Sequence, residues 1–191
     1  NDIRDGSVAE TETYGLVYTR KCGWVDLGHA WPLGAHGAQQ FWHKMLRESS
    51  RQPEMSTIGK SYSPLRTQFY RSNMKKTHFL IEYSQLMCLQ EYRIKLCKNW
   101  GQSYLVKKGL PLHKIKSAAL TIFLNTSYGF ETMQSSFPYS IFTDSGFSAE
   151  DLVSDLISFY RAVEPGRKYI ELCEPVTKQE ALAIWDKYGP V

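Results

Sequence analysis

No stretch of this 191-residue chain stays apolar long enough to cross a membrane, because Lys, Arg or Glu interrupts the longest candidates. It has no CxxC pair, which removes zinc-ribbon and thioredoxin-type readings. P-loop, GxGxxG, GxSxG and HExxH patterns are also missing, and no cofactor is implied. There is no internal repeat and no low-complexity segment. Acidic and basic residues nearly balance. The net charge is +4, with basic residues spread along the chain, so no nucleic-acid footprint is evident and only a mild preference for acidic partners follows. Four cysteines, Cys22, Cys88, Cys97 and Cys173, are too few for a disulfide scaffold at this length, although an even number allows two bridges.

What remains is an ordinary globular composition, 42% hydrophobic and 22% charged, sized for one domain with its own core. Residues 1–13 are polar and read as a poorly ordered arm, leaving 14–191 as a single domain. The chain starts at Asn1 rather than Met, which is compatible with a removed leader.

Tyr14 to Thr19 is rich in aromatic and β-branched residues and predicts a strand. Cys22 to Ala30 then predicts one or two helical turns, stopped before Pro32. A helix is expected over 35–48 with Phe41, Met45 and Leu46 inward, followed by a loop over 49–64. Thr77 to Tyr83 reads as a strand, with helix after Met87. Gly109-Leu110-Pro111 precedes a helix from about Leu112 to Gln134, with Ile115, Ala119, Ile122, Thr126, Gly129 and Met133 on one stripe. Ser148 is a natural N-cap, with Glu150 and Asp151 in the first turn and Leu152, Leu156, Phe159, Tyr160 and Val163 as the apolar face. Lys168 to Leu172 predicts a short strand. Thr177-Lys178-Gln179-Glu180 is a capping box for a last helix whose inner side is Ala181, Leu182, Trp185 and Tyr188. The total is a helix-rich α+β domain with a few short strands.

The chemistry concentrates between Tyr18 and His29. On a helix, Cys22, Asp26 and His29 share a face, and a thiol at a helix N-terminus is drawn toward the thiolate. Three interpretations follow. Cys22 is a nucleophile with an imidazole base and an orienting carboxylate, as an amide hydrolase needs. Neighbours at i+7 on a helix stand roughly 10 Å apart, so His113 or His78, with Asp144 as orienter, are long-range alternatives to His29 and Asp26. Alternatively Asp26 and His29 form an i,i+3 pair of the kind that holds iron, manganese or zinc, with His36 and His43 continuing the spacing. In the third, Asp26 caps backbone amides, His29 is a satisfied core residue and Cys22 is filler. Cys88, Cys97 and Cys173 read as buried thiols. Glu131 lies off the apolar stripe and reads first as a solvated carboxylate, with a ligand or general acid as the alternative.

Two blocks carry a resemblance. Tyr18-Thr-x-x-Cys-Gly-Trp-Val-Asp-Leu-Gly-His29 and Asp144-Ser-Gly-Phe-Ser-Ala-Glu-Asp-Leu-Val-Ser154 resemble a group of bacterial proteins of unknown function. The thiol block is also similar to that of secreted effectors that act as Cys–His–Asp deamidases or amidases. The resemblance implies a bacterial origin, an export or envelope setting, and a protein substrate or partner. The expectation is therefore a thiol amide hydrolase. Its alternatives are a non-enzymatic protein-binding effector using the 49–64 loop, or a metal-dependent hydrolase at Asp26 and His29.

Overall fold

In the computed structural model, residues 2–33, 37–50, 73–91, 94–134 and 149–189 are described. The fold is α+β and helix-rich, with five α-helices and two small two-stranded sheets among the described residues. The chain packs as two compact units, 1–39 with 131–191, and 40–130.

The first unit is built on a hairpin of β1 (Leu16–Thr19) and β2 (Gly23–Asp26), paired Leu16 to Asp26 through Thr19 to Gly23. Successive strand side chains point to opposite faces, and here both faces are covered. Val17 and Val25 join Leu27, Ala30, Ile157, Ile170 and Cys173 in one cluster. Leu16 and Trp24 join Ile3, Val176 and Ala181 in the other. The helix expected at Cys22 to Ala30 is therefore a hairpin turn, a strand and a second turn. The seven-residue spacing from Cys22 to His29 resembled a helical face, but burial of Trp24 and Val25 on opposite sides selects the strand.

Residues 2–13, expected as a loose arm, are packed. Ile3 bridges Leu16 and is buried, while the Arg4 amide donates to the Leu16 carbonyl at 2.8 Å. Pro175 bridges Thr19, and the Val176 amide donates to the Tyr18 carbonyl at 2.9 Å. Together these segments cover the free edge of β1, which would otherwise offer unpaired amides and carbonyls.

Three helices complete this unit: α3 (Ala149–Val163), α4 (Tyr169–Leu172) and α5 (Lys178–Tyr188). The segment read as a strand at 168–172 is the helical turn α4. Its Ile170 and Glu171 amides donate to the Glu10 carboxylate at 2.7 and 3.1 Å, a cap supplied from far upstream. Thr177 caps α5 as expected, accepting from the Glu180 amide. The buried side of α5 is Ala181 with Ile184 and Trp185 partly covered, whereas Leu182 and Tyr188 are exposed.

The second unit holds most of α1 (Ala38–Ser50), and β3 (His78–Glu91) paired with β4 (Ile94–Lys107). It also holds α2 (Leu112–Gln134) up to Phe130. Helix expected after Met87 is strand, because the period-two pattern of buried Phe79, Ile81 and Tyr83 continues into a long antiparallel ladder. Phe41 of α1 and Phe123 of α2 pack on Tyr83 with ring centroids 4.4 and 5.5 Å away. The stripe predicted for α2 is buried at Ile115, Ala119, Ile122, Thr126 and Met133. Residues 51–64 of the predicted loop lie outside the described residues.

Packing of the N-terminal segment has a direct test. The Gly6 amide donates to the Val176 carbonyl at 2.9 Å, and a Cβ at Gly6 would stand 2.5 Å from that same oxygen. Gly6→Ala is expected to cost about 1–3 kcal/mol in urea denaturation, the range for forced overpacking. An unchanged midpoint would mean that residues 2–13 are not docked.

Candidate functional site

Asp26 ends β2, and its backbone amide donates to Ser154 Oγ at 2.8 Å, while that hydroxyl donates to the Glu150 carbonyl at 2.6 Å. One serine thus ties the strand to α3. The Asp26 carboxylate then folds back on its own chain, with Oδ1 accepting from the Gly28 amide at 2.6 Å and the His29 amide at 3.0 Å. This is an Asx turn, the short-range bonding that suits aspartate to turns. A side chain at Gly28 would place its Cβ 3.0 Å from that oxygen, so glycine suits the position.

The turn delivers His29 to the face of α3. Its Nδ1 lies 3.5 Å from Asp155 Oδ1 and its Nε2 lies 3.8 Å from Asp151 Oδ1. Asp151 and Asp155 are one helical turn apart and therefore share a face. The His29 side chain is 38% exposed, while Asp155 is 5% exposed and its second carboxylate oxygen has no hydrogen-bond partner among the described residues. Arg161 anchors the following residues, donating to the Ala30 carbonyl at 3.0 Å and the Glu10 carbonyl at 2.7 Å.

Electrostatics follow from this arrangement. Burial opposes charge on the His29 ring, but contact with Asp155 and the nearby Asp151 and Asp26 carboxylates outweigh it and push the pKa up to about 10. At neutral pH the ring is an imidazolium. Glu131, in the last turn of α2, is only 1% exposed. Burial, reinforced by Asp151, Asp155 and Glu150 and opposed by His29, raises its carboxyl to about 7. Asp151 is raised to about 6, again chiefly by burial, with His29 pulling the other way.

The residues singled out in the sequence fare unequally. Asp26 caps backbone amides, and the positions of Asp26 and His29 come together as a turn and its cargo. Cys22 sits in the turn between β1 and β2 rather than at a helix start, so the helix-dipole argument for its reactivity falls away. Its thiol neighbours Cys173. Both ring nitrogens of His29 face carboxylates of α3, Asp155 and Asp151, which raise its pKa. His113 lies on the exposed first turn of α2 in the second unit, and His78 bonds Thr77 Oγ1. His43 is exposed on α1, while Asp144 and His36 lie outside the described residues. Among the described residues no group of three or more His, Cys, Asp or Glu side chains is placed to hold a metal ion. Asp26 Oδ1 accepts from backbone amides, and both ring nitrogens of His29 face α3.

In the sequence Glu131 is only the less favoured general-acid candidate, and Asp151 and Asp155 are not singled out as site residues. Glu131 follows Phe123 and Ser127 at i+4 steps, and all three are buried, a second ridge beside the predicted stripe. Asp151, Ser154, Asp155 and Ser158 recur at i, i+3, i+4 and i+7, a polar stripe whose last three members are buried. Such a stripe was the available signal. No family model matches the chain, and no curated protein and no solved structure matches it either.

A buried carboxyl with a raised pKa makes a signed prediction about stability. Glu131 favours its neutral form in the folded state, so its contribution is intact below the ordinary value of 4.5 and is lost as pH rises through about 7. Glu131→Gln removes that loss. At pH 8 the variant is expected to be more stable than the parent by about 1–3 kcal/mol, taking roughly 1.4 kcal/mol per unit as a ceiling. The gap should close by pH 4.5 in urea titrations, and a gap independent of pH would refute the assignment.

Proposed function

We propose that this protein is a hydrolase that works by general acid–base proton transfer at Glu131, Asp151 and His29, on a bond whose leaving group needs a proton, an amide or a glycosidic bond. The observation that carries this reading is Glu131: a carboxyl 1% exposed, with its proton affinity raised to about 7, in the electrostatic field of a second raised carboxyl and an imidazolium. Groups that titrate near the working pH transfer protons best, and paired groups with separated pKa values define acid and base roles.

In this reading Glu131 gives its proton to the leaving nitrogen or oxygen. Asp151, the more acidic of the two, takes a proton from the attacking water. His29 keeps its charge and stabilises negative charge as it develops. Asp155 is a positioning residue that holds the ring by Nδ1. The buried oxygen of Asp155, which has no hydrogen-bond partner among the described residues, supports a site that a donor from a bound molecule reaches.

The test is hydrolysis of a peptide panel and a polysaccharide panel by the parent and by Glu131→Gln. Loss of about 10²–10⁴ in rate is expected for the variant, the usual worth of one proton-transfer group. The kcat/KM profile should be bell-shaped, rising as Asp151 ionises near 6 and falling as Glu131 deprotonates near 7. These apparent values belong to the interacting cluster. Cys22→Ser should leave the rate unchanged, and a dead Cys22→Ser with an active Glu131→Gln would restore the thiol nucleophile. A parent inert on both panels would favour the protein-binding role.

A further inference from the structure

The two cysteines of the first unit meet, although 151 positions separate them in the chain. The backbone sets this up. Beyond the β1 end, the Arg20 amide donates to the Glu174 carbonyl at 3.0 Å and the Lys21 amide to the Cys173 carbonyl at 3.1 Å. The Lys21 ammonium pairs with the Glu174 carboxylate at 2.8 Å, across the same two segments. Glu174 takes a left-handed backbone conformation, φ +60°, uncommon for a residue with a side chain, and turns the chain after Cys173 back along β1. Cys22 then packs on the same apolar cluster that contains Cys173, and both are free thiols.

We infer that Cys22 and Cys173 form a disulfide by exchange with a low-molecular-weight disulfide such as oxidised glutathione. Half-buried Cys22 is the entry point and buried Cys173 is the resolving thiol. The Cys22 thiolate attacks one sulfur of the small disulfide, breaking its S–S bond and expelling one thiolate. The Cys173 thiol loses its proton to solvent, and its sulfur attacks the Cys22 sulfur, expelling the second thiolate. The two protein sulfurs are oxidised by two electrons in all. One small disulfide is reduced to two thiols. Burial and the Cys22 contact push the Cys173 thiol up to about 12, which explains why it acts second, once a sulfur electrophile stands beside it.

The experiment treats the reduced full chain with oxidised glutathione, alkylates remaining thiols and digests with trypsin. Cleavage after Lys21, Lys44, Lys168 and Lys178 isolates Cys22 on peptide 22–44 and Cys173 on peptide 169–178, apart from the peptides carrying Cys88 and Cys97. A linked 22–44/169–178 product, reversed by dithiothreitol, is expected. Cys173→Ser should accumulate a mixed glutathione disulfide at Cys22. Cys22→Ser should leave Cys173 mostly unmodified over the same interval. A parent in which both thiols are alkylated at every glutathione ratio overturns the inference, as does one that stops at the mixed disulfide. If Cys173→Ser fails to fold, the parent and Cys22→Ser digests still decide the matter.

Discussion

The imidazolium of His29, held between Asp151 and Asp155, is the interaction on which the first unit's chemistry rests. It fastens the turn after β2 to α3, and it partly neutralises a region crowded with carboxylates. Among the described residues, His29 is the cation that perturbs Glu131 and Asp151, set against the Asp26, Glu150, Asp151 and Asp155 carboxylates. Like charges at short range in a poorly solvated region repel strongly, so protons would have to be bound to relieve them. The ring is therefore a structural counter-ion whose stabilising effect is complete below pH 6.5 and is lost as pH rises through about 10. That window leaves it charged wherever Glu131 and Asp151 exchange protons.

Such a cluster opposes stability. A carboxyl buried like Glu131 disfavours its ionised form, and the buried oxygen of Asp155 lacks a partner among the described residues. Natural folds retain strained or unsatisfied polar groups chiefly where function requires them. The surrounding architecture supplies compensation. Ser154 links β2 to α3, Arg161 ties the chain beyond His29 to the same helix, and two apolar clusters sandwich the hairpin.

Much of the fold was legible where local signals acted alone. The helix Leu112–Gln134 was readable from its Gly-Leu-Pro boundary and apolar stripe, and α5 from its Thr177 cap. The β1–β2 hairpin was only half readable. Both of its faces are buried, so the polar alternation that marks a one-sided strand is missing, and Cys22 to His29 imitated a helical face. α4 was hidden because its cap is Glu10, a residue no local window contains. In the site, Asp26 and His29 were visible as a motif, but their partners were not. Asp151 already had an adequate explanation at a helix N-terminus, and Glu131 looked like a surface residue one step off a stripe. Long-range burial, which no spacing rule encodes, turned both into perturbed acids.

The interleaved division of the chain has a consequence for how the molecule is made. Residues 40–130 form a contiguous unit whose hairpin and helices lie near one another in sequence, so it can assemble as soon as it leaves the ribosome. The other unit is split across both ends. Asp5 accepts from the Lys178 amide, and Glu10 from the Ile170 amide, across more than 150 positions. His29 likewise waits for α3. The amino-terminal hairpin emerges first yet matures last, and the end of β1 near Tyr18 and Thr19 must survive uncovered until the carboxy-terminal third arrives to seal it.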